Sequence, residues 1–226
     1  MAHIQLRKET PASNDEKVIR EFGALYLPPG AREVIFAAED DPYYYEVYAG
    51  THSIAIQRGD CAFSISHDRK SALLTRGPFQ LESPSFATLV RGFSPENRTS
   101  TITNRTVLPY VNGCSTKQIF PPDRPGDPTF QMLNIPPYSS EQAHHIHSTV
   151  RCVYILSGEG RSVVGMDKKT VSSPLTPGTI CVLQRMCPHH FETSDSNLVA
   201  LPVHVWSSTP GVENQHPMFN GTFRLT

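Results

Sequence analysis

Short apolar runs of alternating character recur along the chain from Val18 onward, among them residues 44–48, 53–56, 130–135 and 198–206. A period of two places alternate side chains on opposite faces of an extended strand. Turn signals separate the runs: Pro28-Pro29-Gly30, Gly50, Arg58-Gly59-Asp60 and Arg76-Gly77-Pro78. Strands at this spacing predict an all-β sandwich or barrel. The polar residues 1–17 read as a loose arm or a strand that pairs late. Residues 111–129, with Pro121-Pro122 and Pro125-Gly126-Asp127-Pro128, read as a loop between two halves, and the tail 210–226 as irregular. The run 198–206 offers two faces. Val199, Leu201, Val203 and Val205 are wholly aliphatic and are predicted to pack between sheets. The other face ends in His204 and Trp206, which carry polar atoms suited to a cavity.

Composition narrows the class. Hydrophobic residues make up 38% of 226, enough for a sizeable core, and 20 prolines disfavour long helices. The net charge of −1, with no basic run, excludes nucleic acid and anionic membranes as predicted partners. No stretch approaches the roughly 20 apolar residues of a membrane span, and MAHIQLRKET lacks the apolar region of a signal peptide. The 5 cysteines (61, 114, 152, 181, 187) show no disulfide-framework spacing and are expected to be reduced thiols of a cytoplasmic protein.

The candidate chemistry lies in residues 139–191. His145 and His147, two apart on a strand, point to one face and can share one metal ion. His189 follows Gly178 by eleven residues, at the end of an apolar run, where a barrel can close it onto the other two. In these residues the chain resembles the cupins. Their first motif is matched by His145-Ile146-His147 and Gly158, with Ser139 where the first Gly belongs and Arg151 at the usual Glu position. Their second motif is matched by Pro177-Gly178 and Pro188-His189, with Gln184-Arg185-Met186 in place of its internal Pro-x-Gly turn.

The resemblance implies an all-β fold of two fused cupin barrels. Residues 111–226 would form the metal-binding barrel and 18–110 a degenerate one without ligands. Val47-Tyr48-Ala49-Gly50 sits like Ile155-Leu156-Ser157-Gly158, and Gly77-Pro78-Phe79 like Gly178-Thr179-Ile180. Glu39 and Thr88 then stand where the second half has His147 and His189. A set of three histidines is similar to that of gentisate-type and thiol-type dioxygenases. This implies iron(II), with Zn, Mn, Ni or Cu as alternative ions, and O2 acting on a small acidic substrate. A non-redox isomerase, lyase or cyclase and a passive small-molecule binder are the alternatives.

Within that site Arg151 either clamps a substrate carboxylate or turns outward to a surface pair. Cys152 competes with it for the inward position, as in a thiol dioxygenase. Glu141 and His204 are candidates for proton chemistry or for orienting a ligand, and Trp206 for a cavity wall. His144 and His190 are expected to point away from the metal by alternation. Cupins commonly pair through sheet faces, so a homodimer is expected, with Tyr43 and Tyr45 as outward aromatics.

Overall fold

The computed structural model describes residues 14–205 and Thr222–Arg224, apart from 40, 42, 51, 104 and 125. Trp206 lies outside the described residues, as do residues 1–13 of the polar arm and most of the tail. Two compact units divide the chain. Leu27–Arg105 form one, and the other comprises 14–26 with the described residues from Thr106 onward. No helix among the described residues is long and apolar enough to cross a membrane.

In the first unit a six-stranded antiparallel sheet runs in the order Glu33–Phe36, Tyr45–Ala49, Phe86–Val90, Cys61–Ile65, Ser71–Arg76, Arg98–Thr101. Ser53–Ile56 pairs with Phe79–Glu82 in a second, two-stranded sheet. Ile54, Ile56, Ala62, Leu81, Ala87 and Leu89 make a core there. Glu39 is exposed and Thr88 is fully buried beside Val47. Among the described residues this unit gathers no group of three metal-ligating side chains. Tyr45, expected to face outward, is instead fully buried, because the exposed position of its strand's entry falls to Tyr44.

The second unit holds the predicted site. A seven-stranded sheet runs Ala24–Leu27, Ile180–Leu183, Arg151–Gly158, Leu198–His204, Thr129–Ile135, Ser115–Phe120, Leu108–Pro109. A five-stranded sheet runs Lys169–Leu175, Gly160–Met166, His189–Glu192, His145–His147, Thr222–Arg224. Leu133, Val153, Ile155, Leu183, Leu198 and Ala200 of the first sheet pack against Val164, Leu175 and Phe191 of the second. This core corrects the reading of Leu198–His204. Its inter-sheet face carries Leu198, Ala200, Pro202 and His204, and the all-aliphatic face of Val199, Leu201 and Val203 is buried on the other side. Both faces are buried, so hydrophobicity alone does not tell them apart.

Three further segments differ from the sequence reading. Residues from Asn14 to Glu21 form a helix, with Asp15 and Glu16 in its first turn and Arg20 in its last, as the helix dipole favours. Ile19 and Phe22 pack it on the second unit's core. The interval 111–129 is not all loop. A short 3-10 turn at Val111–Gly113 leads into the strand Ser115–Phe120, whose pairing with Thr129–Ile135 carries an irregularity between Gln118 and Phe120. That irregularity breaks the alternation by which a strand is recognised. In the tail, Thr222–Arg224 is a strand paired with His145–His147, and three residues are too few to show a period.

Candidate metal centre

The strand His145–His147 lies between His189–Glu192 and Thr222–Arg224, and His145 stands directly opposite His189 in the register. Directly opposed positions of an antiparallel pair share a face, so register and the two-residue spacing together turn all three rings inward. All three are buried. The Nε2 atoms of His145 and His147 are 3.0 Å apart. The ring centres of His145 and His147 lie 4.5 and 5.1 Å from that of His189. One potential ligand atom from each ring lies within 4.8 Å of the others. Two nitrogens about 2.1 Å from one ion stand about 3.0 Å apart at a right angle and about 3.4 Å at the tetrahedral angle. The observed triad fits a single first-row metal ion, and nitrogen donors suit iron, zinc, copper and nickel.

Backbone carbonyls orient two of the rings. His145 Nδ1 donates to Ala143 O and His189 Nδ1 to Cys187 O, each at 2.8 Å. Each bond puts the ring proton on Nδ1 and the lone pair of Nε2 toward the centre. Burial holds the imidazoles neutral. It pushes His145 down to about 2, helped by His189, and His189 to about 3, helped by Arg151. His147 is pushed well below its ordinary value by burial and then by Arg151.

The metal-stripped protein should therefore lose stability in acid. The unfolded chain takes up protons at histidine below about pH 6.5 while the folded one does not, so stability falls as pH drops. At pH 5 His145 and His189 each cost about 2 kcal/mol, and His147 acts in the same direction. Glu141 acts oppositely, because burial raises its carboxyl to about 8, and its contribution is lost as pH rises from about 4.5 to 8. Three imidazoles outweigh one carboxyl between pH 4.5 and 6.5. Urea unfolding of chelator-treated protein should give a lower midpoint at pH 5 than at pH 7, and equal midpoints would contradict neutral burial of the triad.

The opposing sheet supplies the other wall. The chain leaves the five-stranded sheet after His147 and enters the seven-stranded one at Arg151, which pairs with Leu183 and His204. Arg151 is 3% exposed and its Nη2 lies 2.8 Å from His147 Nδ1. It faces the cavity, and Cys152, fully buried, turns to the sheet's other side. His204 also lines the cavity, as does Glu141, whose Oε2 accepts the Phe191 N–H at 2.5 Å. Leu133, Val153, Leu183, Phe191, Ala200 and Pro202 close the rest of a space of about 40 Å³, room for about three waters.

Gln142 and Tyr110 line the same space and were not singled out from sequence. Residues 141–144 form a bend, so neighbours Glu141 and Gln142 both turn inward, against strand alternation. Tyr110 arrives from the segment just before the short 3-10 turn, far from either motif, and no local signal marks it. His144 and His190 lie on the outer face, with their Nδ1 atoms 2.8 Å apart and His144 Nε2 2.6 Å from Gly165 O. The Gln184-Arg185-Met186 segment is a turn with Met186 at φ 62°, closed by Cys187 N–H to Gln184 O and tied to His147 O through the Met186 N–H.

No protein-family model matches the sequence, and no curated protein matches it. Solved structures do. A candidate glyoxylate-induced protein from Pseudomonas aeruginosa aligns at a TM-score of 0.54 and 12% identity, over 90% of this chain and 92% of its own. A cupin 2 conserved barrel domain protein from Leptotrichia buccalis aligns over 88% of this chain and 99% of its own, at 13% identity and a TM-score of 0.44. A polyketide cyclase from Streptomyces resistomycificus aligns over 50% and 85%, at 20% identity and 0.36. The two antiparallel sheets closing on the histidine motifs, together with the likeness over nearly the whole chain, identify the fold as that of the cupins.

Proposed function

We propose that the protein is a metal-dependent enzyme, an iron(II) dioxygenase that acts with O2 on a small acidic organic substrate. The observation that carries this reading is the meeting of three neutral imidazoles and one guanidinium in a single buried cavity. His145, His147 and His189 would hold the ion. The triad contains no carboxylate, so the charge of the ion and that of Arg151 favour an anionic guest. Iron(II) in such a site supplies Lewis acidity and a route for electrons between an organic substrate and O2. Arg151 orients a carboxylate through two parallel N–H···O bonds. His204, on the wall beside Arg151, is placed to hydrogen-bond a substrate oxygen. The apolar wall limits water, and the small volume selects a small molecule.

A second reading rests on Glu141. Its buried carboxyl, raised to about 8, keeps a proton near neutral pH and suits proton transfer in a metal-dependent isomerase, lyase or cyclase. Oxygen consumption separates the two. Protein purified without a histidine tag should carry about one iron per chain and consume O2 with members of a panel of small carboxylic acids. Conversion of a substrate at the same rate without O2 would transfer the assignment to the second reading. For a substrate so found, Arg151→Leu should raise KM by about tenfold or more, the worth of a lost charge-assisted bond. An unchanged KM would remove Arg151 from substrate binding.

A further inference from the structure

Arg151 Nη2 lies 2.8 Å from His147 Nδ1. A guanidinium has donors only, so Nδ1 accepts, and the neutral ring carries its proton on Nε2. That Nε2 is 3.0 Å from His145 Nε2, an acceptor because His145 Nδ1 already donates to Ala143 O. The donors thus run in one direction, from Arg151 to His147, to His145, to the Ala143 carbonyl. His145 and His189 present lone pairs to the centre of the triad. His147 presents an N–H, and one nitrogen does not hold a proton and a metal together.

We propose that Arg151 is a guanidinium gate. In the metal-free protein it holds His147 in the tautomer that cannot ligate. On metal binding, His147 gives up the proton at Nε2 and gains one at Nδ1, so the ring stays neutral and no net proton is lost. Nδ1–H then meets the guanidinium donor to donor, the hydrogen bond breaks, and Arg151 turns into the cavity it already lines. Keeping the bond would require an imidazolate, which an imidazole reaches only far above neutral pH. The strand pairing of Arg151 with Leu183 and His204 fixes its backbone, so the change is confined to the side chain. Resting on the reading of this cavity as a carboxylate site, the gate implies that metal loading releases a further guanidinium donor, on Nη2, to an anionic substrate.

Nitrogen-15 NMR of the histidine-labelled, metal-stripped protein tests this, with zinc added as a diamagnetic probe. His147 should be protonated at Nε2 before zinc and at Nδ1 after it. Arg151→Met should bind zinc about tenfold or more tighter than the wild type, the effect of one charge-assisted hydrogen bond. The gain in acetate affinity on zinc loading should shrink in that variant. His147 found protonated at Nδ1 without zinc, or at the same nitrogen with and without it, would overturn the gate. The wild-type spectra alone decide this if the variant does not fold. Neither readout uses turnover: absent O2 uptake would sink the dioxygenase reading and leave the gate, and an unchanged tautomer would do the reverse.

Discussion

His189→Ala is expected to lower bound metal from about one ion per chain to nearly none, while the metal-stripped variant stays folded. His189 is one of three donors and the one that closes the triad from the neighbouring strand. Removing it leaves two rings on one strand. The wild type, saturated at 100 to 1,000 times Kd, gains about 3–4 kcal/mol from its ion. That corresponds to a rise in Tm of about 6–16 °C for a unit of this size, and the variant should show none of it. Truncation also leaves the Cys187 carbonyl without its imidazole donor, a cost of about 1–3 kcal/mol that is independent of metal. Metal content by mass spectrometry and paired melting curves with and without added iron or zinc separate the two effects. Retained metal in His189→Ala would show that the ion does not depend on this triad.

The other large effect is at Gly158. Gly158→Ala should destabilise the protein by about 3–5 kcal/mol, combining the left-handed backbone penalty with an unrelieved steric clash. Gly158 has φ +80°, and an added Cβ would sit 1.9 Å from the Asn197 carbonyl oxygen and 2.8 Å from its carbon. Both obstacles are backbone, so no rotamer change relieves them. The position ends the strand Arg151–Gly158, opposite Leu198, and displacement there strains the register that places Arg151 against His204. Gly30→Ala provides a control. Gly30 shares φ +80° but has nothing within 4 Å of the added carbon, so it should cost only the backbone term of about 1–2 kcal/mol. Urea unfolding measures both, and equal costs at the two positions would discount the Asn197 contact.

Much of the candidate metal centre was legible in the chain because its geometry is local. Two histidines two apart on a strand must share a face, and that relation needs nothing else to be folded. The predicted third histidine does converge on them: after Ile180–Leu183 the chain turns at 184–186 into the opposite sheet, where His189 stands directly opposite His145. The all-β class was legible for the same reason, from period two and frequent turns. The helix Asn14–Glu21 was not: Val18, Ile19 and Phe22 are too few to set a helical period against the strand pattern that follows. Ser115–Phe120 was hidden by its irregular pairing, and Thr222–Arg224 by its length.

Arg151 marks the boundary between the two kinds of knowledge. Alternation counted from His147 does turn it inward, but for a reason the structure replaces. The chain changes sheets between these residues, so they meet as opposing walls and not as neighbours on one face. Glu141 and Gln142 enter through a bend that alternation does not govern. For Leu198–His204 the two faces were legible, and the face of His204 does look into the cavity, but that face and not the aliphatic one packs between the sheets, because both are buried. By itself the sequence determined which residues extend, which side chains share a face and which three imidazoles can meet. Only the tertiary structure decided which face packs between the sheets, that Arg151 lies against His147, and that Glu141 is drawn into the same space. Backbone periodicity is settled by each residue and its near neighbours, but contact across a barrel depends on how distant strands close around the core.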